Sequence, residues 1–220
     1  MCFSAVSSIS AGVVLSGVGV FTLKKAGSTN QIIFASIPLL FAIQQLTEGV
    51  LWIALSDPAY ANLQQVSTYN FLFFAQIIWP IWVPLGVLKM ELPEHRGITS
   101  KIMVGLGFLV SFYLGYCLLN YPVNASIMSY HISYDQQYPA FFGKTVGYLY
   151  VIATVVPLFV SRIKYMWAMG TAIAISLLIT AILYTDYIIS VWCFFASVIS
   201  IIVLIIIILH NNTANGKKER

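Results

Sequence analysis

The chain has 220 residues, 60% of them hydrophobic, with 11 Lys or Arg, 7 Asp or Glu and a net charge of +4. A soluble domain spends about a quarter of its residues on those charged types, so this composition excludes a soluble globule and makes lipid the expected solvent. The positive balance does not indicate nucleic acid, because the basic residues fall in short groups between apolar runs.

Long apolar runs without two-residue alternation select helices over a barrel. A crossing needs about 20 residues, and such runs fall at roughly 4–23, 31–55, 68–88, 98–119, 144–161, 165–184 and 187–209. The expected fold is therefore an all-α integral membrane bundle of about seven transmembrane helices. Residues 1–210 form a single membrane domain and 211–220 a polar tail. With seven crossings, Lys24, Lys25, Lys89, Arg96, Lys101, Arg162, Lys164, Lys217, Lys218 and Arg220 share one side, and Lys144 alone sits at the other. Positive residues stay cytoplasmic, which places the N-terminus outside, the C-terminus and tail in the cytoplasm, and the chain in the cell membrane.

The first run has no basic residues before it, which argues against a secretory signal and for an uncleaved helix. Ser8, Gly12 and Ser16 recur every four residues, a spacing that lets a second helix approach closely. In the second run Gln44, Glu48 and Trp52 share one helical face, with Gln45 flanking Glu48. An ionisable group well inside a span costs several kcal/mol unless it faces the bundle interior, water or a partner. Glu48 is either a functional carboxyl or a hydrogen-bonded link between helices.

The third run carries Gln76 and then Trp79-Pro80 and Trp82-Val83-Pro84, where prolines kink a helix and free carbonyls for a neighbour, water or ligand. Pro38 and Pro157 predict further kinks. The long connection from Asn120 to Gly143 holds Tyr121, Tyr130, His131, Tyr134 and Tyr138, aromatic residues suited to lie on the helix ends. Counting along the helices brings Glu48, Gln44, Gln45, Trp52, Gln76, Trp192 and Cys193 to the outer half, under Cys2, His131 and Tyr134. These residues are the candidates for a ligand site. Cys2, Cys193, His131 and Glu48 are the candidates for a metal or thiol centre. Packing is the alternative for each cysteine. If Met1 is removed, Cys2 would present both an amine and a thiol.

The seventh run has no lysine for a retinal Schiff base. His95, His131 and His210 fall on opposite sides and cannot form a three-histidine zinc site. No phosphate-binding loop, GxSxG, HExxH or CxxCH motif identifies a cofactor.

The chain resembles a family of uncharacterised bacterial membrane proteins that open with Met-Cys-Phe-Ser-Ala. The matching pieces are Met1 to Ala5, Pro38 to Phe41 leading into Gln44, Gln45, Glu48, Gly49 and Trp52, then Trp79-Pro80, Trp82 to Pro84, His131-Ile132 with Tyr134, and Ser190 to Ala196. The resemblance spans nearly the whole chain. It implies the same membrane architecture, in a bacterial inner membrane, and it assigns no reaction. The leading expectation is a carrier or receptor with an outward-facing polar cavity for a small molecule or ion. The alternatives are a membrane-embedded thiol- or metal-dependent enzyme and a structural or assembly subunit.

Overall fold

The computed structural model describes residues 4–139 and 143–216. Helix α1 (Ala5–Lys25) starts where the Ser4 hydroxyl accepts the Ser7 amide at 3.3 Å, an N-cap that satisfies one free donor. After a 3-10 turn come α2 (Ile32–Ala35) and α3 (Ile37–Ser56). Pro38 lies in the first turn of α3, where its missing N–H costs nothing, so it sets the joint between the two segments. α4 (Gln64–Leu72) passes through a π-helical stretch, Phe73–Ile78, into α5 (Trp79–Met90). α6 (Ile98–Asn120) leads to an antiparallel hairpin of β1 (Val123–Met128) and β2 (His131–Gln136). α7 (Gly143–Val160), α8 (Met166–Leu183), α9 (Ile188–Ile199) and α10 (Ile201–Gly216) complete the described chain.

Among the described residues, six continuous helical stretches are long and apolar enough to cross a membrane: Ala5–Lys25, Thr29–Ser56, Pro58–Met90, Ile98–Asn120, Met166–Leu183 and Thr185–Thr213. The fifth expected span is a shorter apolar helix, Thr145–Val160. Six of the seven expected spans thus reach that length within the described residues, and the fifth coincides with α7, whose 18 residues equal those of Met166–Leu183. The outward surface suits lipid: Phe112 and Leu119 on α6 are 82% and 84% exposed.

The helices pack closely where glycines permit it. A Cβ on Gly19 would lie 2.6 Å from the Leu39 backbone nitrogen, and one on Gly12 equally close to the Leu46 side chain. The buried stripe of α1 is Ser8, Gly12, Leu15, Gly19 and Thr22. It differs from the expected Ser8-Gly12-Ser16 line because 3.6 residues per turn carries a strict four-residue spacing off the contact face. Ser16 instead donates to the Gly12 carbonyl at 2.8 Å.

The prolines in α5 act as their chemistry requires. The loosened backbone around the π-helical stretch is met by neighbours, with the Tyr150 hydroxyl donating to the Ala75 carbonyl at 2.6 Å and Ser111 to the Ile77 carbonyl at 2.8 Å.

The connections sort into two ends. At one, Gln31 donates to Asn211 at 2.8 Å, Asn211 donates to the Lys25 carbonyl at 2.7 Å, and Glu91 accepts from Ser161 and the Arg162 amide at 2.6 and 2.8 Å. Residues 211–216 of the stretch expected as a polar tail are helical, and Asn211 ties α10 to the end of α1. At the other end lies the hairpin, a structure the sequence reading of this connection did not include. Its turn places Ser129 at φ 58. Ala125 and Ile132 pack on Leu51 and Trp52, so it roofs the bundle.

Candidate functional site

α3 carries the polar centre. Gln44, Gln45 and Glu48 are wholly buried and Trp52 nearly so, because their helical spacing turns them inward. Glu48 Oε1 accepts a hydrogen bond from the Ser190 hydroxyl of α9 at 2.5 Å. Ser8 of α1 and Gln45 face the same carboxyl at longer range. Gln44 Oε1 accepts from the Trp79 indole at 2.8 Å, and that ring is stacked on Phe41 with centroids 3.8 Å apart. Cys193 lies beside Gln44 and Glu48.

Several polar atoms in this group have no hydrogen-bond partner among the described residues: Glu48 Oε2, both ends of the Gln45 amide, Gln44 Nε2, Ser8 Oγ and Trp52 Nε1. Buried polar groups are nearly always paired, and one left unmade costs about 1–3 kcal/mol. Six such atoms lie around one carboxyl, on three consecutive turns of α3 and the facing side of α1, with Ser8 and Gln45 near Glu48, and Gln44 near Cys193, as weaker polar neighbours. The offered set includes donors on Gln44, Gln45 and Trp52 and acceptors on Glu48 and Gln45.

The other expected residues lie around this centre in separate settings. Gln76 donates to Gln136 Oε1 at 2.6 Å and to the Tyr138 hydroxyl at 2.9 Å, and Tyr138 donates to Gln136 at 2.7 Å. His131 stacks on Tyr187 with centroids 4.6 Å apart, and burial lowers its pKa below 6.5. Tyr134 stacks on Phe71 at 4.9 Å. Trp192 meets Tyr150 edge-on at 5.8 Å. Burial pushes the Tyr138 phenol up to about 12. Cys117 and Cys193 are buried free thiols. Cys2 lies outside the described residues. Among the described residues no three His, Cys, Asp or Glu side chains gather closely enough to hold a metal ion.

Sequence reasoning missed several partners. Ser8 entered it only as a small residue, Trp79 as part of a kink, Ser190 as part of a motif, and Gln136 not at all. Only Ser190 had a readable signal, a hydroxyl three residues before Cys193 in an otherwise apolar run. Glu91, 5% exposed at the opposite end, also passed unnoticed because it follows the last turn of α5.

These features define a helical protein compatible with the membrane, organised around a buried carboxyl and unpaired amides. The chain belongs to a family of unknown function, DUF6629, whose model matches residues 1–218. No curated protein and no solved structure matches it.

Proposed function

We propose that this is a multi-pass protein of the cell membrane, N-terminus outside, that binds or carries a small polar molecule or ion at Glu48. The observation that carries the reading is the set of unpaired atoms around that carboxyl. A ligand with donors for Glu48 Oε2 and Gln45 Oε1, such as an ammonium group or a partly hydrated cation, fits the offered chemistry and relieves a cost that water-free surroundings otherwise impose. The orientation rests on the basic residues, since Lys25, Arg96 and Arg162 stand at the end opposite the hairpin. The partners on this reading are the bilayer and the ligand, with no role for nucleic acid.

Thermal unfolding of the purified protein in detergent, against alkali cations, methylammonium, small amino acids and sugars, tests it. A ligand present at 100 times its Kd stabilises by about 2.7 kcal/mol. At least one compound should raise the Tm, and Glu48→Gln should abolish the rise while Glu94→Gln leaves it intact. A second reading has its own support: the Ser190 bond joins α3 to α9, which is the work of a structural link. An equal rise in Glu48→Gln, or none in the wild type, selects that reading.

A further inference from the structure

The charge balance at the hairpin end of the bundle turns on Glu48. It accepts one hydrogen bond from Ser190, has Ser8 and Gln45 as weaker polar neighbours, and keeps Oε2 without a hydrogen-bond partner among the described residues. No described lysine or arginine acts on it. The positive charge that does is that of the chain's amino terminus, and the same charge acts on His131 in the hairpin. A buried carboxylate is tolerated where an opposite charge pairs with it and donors meet its remaining lone pairs.

The start of α1 leads to this place. Ala5 packs with Leu51, Trp52, Ala125 and Ile132, so the helix begins between α3 and the hairpin roof. Ser8 faces the carboxyl, and at 1.5 Å per residue it lies about 6 Å along the helix from Ser4. Met1, Cys2 and Phe3 stand ahead of Ser4. At about 3.5 Å per extended residue these three span about 10 Å, and Cys2 with Phe3 alone about 7 Å, so either length folds back to the depth of Glu48. An ammonium here needs a partner of its own. The first turn of α1 already presents the positive end of a helix dipole, and a roof of Leu51, Trp52 and Ile132 makes an uncompensated charge costly.

We infer that the segment Met1–Phe3 folds back beneath the hairpin and that its terminal ammonium, on Met1 or on Cys2 once Met1 is removed, is the counter-charge of Glu48. An ammonium carries three donors and no acceptor, which suits Glu48 Oε2 and Gln45 Oε1, both without a hydrogen bond among the described residues. This occupant rests on the Glu48 reading in one respect, that the carboxyl meets a positive group. It makes any external cation or amine a competitor of the chain's own terminus, and the segment a plug built into the site.

The test is dicyclohexylcarbodiimide on the full chain in nanodiscs, with no ligand added. The reagent adds to the Glu48 carboxyl as an O-acylisourea. An adjacent amine attacks the acyl carbon, the amide C–N bond forms as the C–O bond to the isourea breaks, and dicyclohexylurea leaves with the amine's proton. The protein thereby loses one water, and peptide mass spectrometry should find Met1 or Cys2 joined to Glu48 by a hydroxylamine-resistant bond. With no amine in reach, the same intermediate rearranges to a stable N-acylurea that adds the mass of the reagent. Glu48→Gln should abolish the link and Glu94→Gln preserve it, while Met-Gly-Ser-Gly inserted ahead of Met1 should convert the link to the N-acylurea. Acylation of the terminus by a succinimidyl ester decides the matter where the carbodiimide does not reach the carboxyl. The wild type should react about tenfold more slowly than Glu48→Gln, the protection that about 1.4 kcal/mol of pairing gives. A link in a protein whose Tm no compound raises leaves the terminus as the partner of Glu48 and removes the external ligand. An N-acylurea on wild-type Glu48, or equal acylation of the two proteins, overturns the inference, and a Tm rise beside it leaves the external ligand standing alone.

Discussion

Removing the hydroxyl of Ser190 is the sharpest perturbation of the carboxyl centre, because it takes away the 2.5 Å donor and leaves the shape of α9 nearly unchanged. Both residues are wholly buried, so bulk water cannot replace the lost bond. A neutral hydrogen bond contributes about 0.5–1.5 kcal/mol net, and pairs between membrane helices average about 0.6 with a maximum near 1.7. Ser190→Ala should therefore cost about 1–2 kcal/mol. Glu48→Gln, which keeps an acceptor oxygen, should cost less than Glu48→Leu, which keeps none. Combining Ser190→Ala with Glu48→Leu should cost less than the two separately, by a coupling of about 0.5–1.5 kcal/mol. The assay is reversible unfolding in mixed micelles, followed by circular dichroism, with Thr47→Ala as control. The Thr47 hydroxyl bonds only the Ile43 carbonyl of its own helix, on an exposed face, so its removal should change little. A coupling indistinguishable from zero would refute the claim that this bond joins α3 to α9.

Gly107→Ala should destabilise by at least about 2 kcal/mol, since its Cβ would collide with the Pro80 carbonyl oxygen, whereas Gly105→Ala, with open space around it, should be neutral or gain up to about 1 kcal/mol from helix propensity. Unfolding of both variants in the same micelles checks the contrast, and equal effects would refute the close α5–α6 approach. The raised Tyr138 pKa of about 12 means that its protonated form is favoured on folding. Its stabilising contribution is whole below the unfolded value near 10 and is lost as pH climbs from there toward 12, a dependence that Tyr138→Phe should remove in alkaline unfolding curves. For His131 the sign is opposite. Burial lowers its pKa, so its contribution is whole above about 6.5 and falls as the pH drops below that, and NMR titration of the imidazole should find a midpoint under 6.5. Reporter fusions at positions 25, 96 and 164 should score cytoplasmic and those at 57 and 123 external, and a cytoplasmic result at 123 would overturn the orientation.

Hydropathy showed where the helices lie because the cost of exposing polar backbone to lipid acts on every span alike. The structure's helical stretches follow the seven apolar runs closely. The hairpin escaped because its strands alternate only weakly and its turn is Ser129-Tyr130, without the glycine or asparagine that advertises a two-residue turn. Its residues were placed on the helix ends for the right reason, their aromatic faces, with no signal for the pairing that holds them.

The carboxyl centre was half legible for a related reason. Gln44, Glu48 and Trp52 lie on one helix, and the four-residue spacing alone announces a shared face. What that face meets depends on how α1, α5 and α9 are rotated about their own axes, and hydropathy in a uniformly apolar helix hardly records rotation. Ser190 is 142 positions from Glu48 and Trp79 is 35 from Gln44. Gln76 shows how depth alone misleads. It lies on the face of its helix that meets the loop after β2, so Gln136 and Tyr138 hold it in place of the carboxyl group that a count of residues from the membrane surface suggested. Depth is fixed by the chain's own sequence, whereas neighbours are fixed by close approach. In this bundle that approach is set by small residues, such as Gly12 and Gly19, that carry no chemistry of their own.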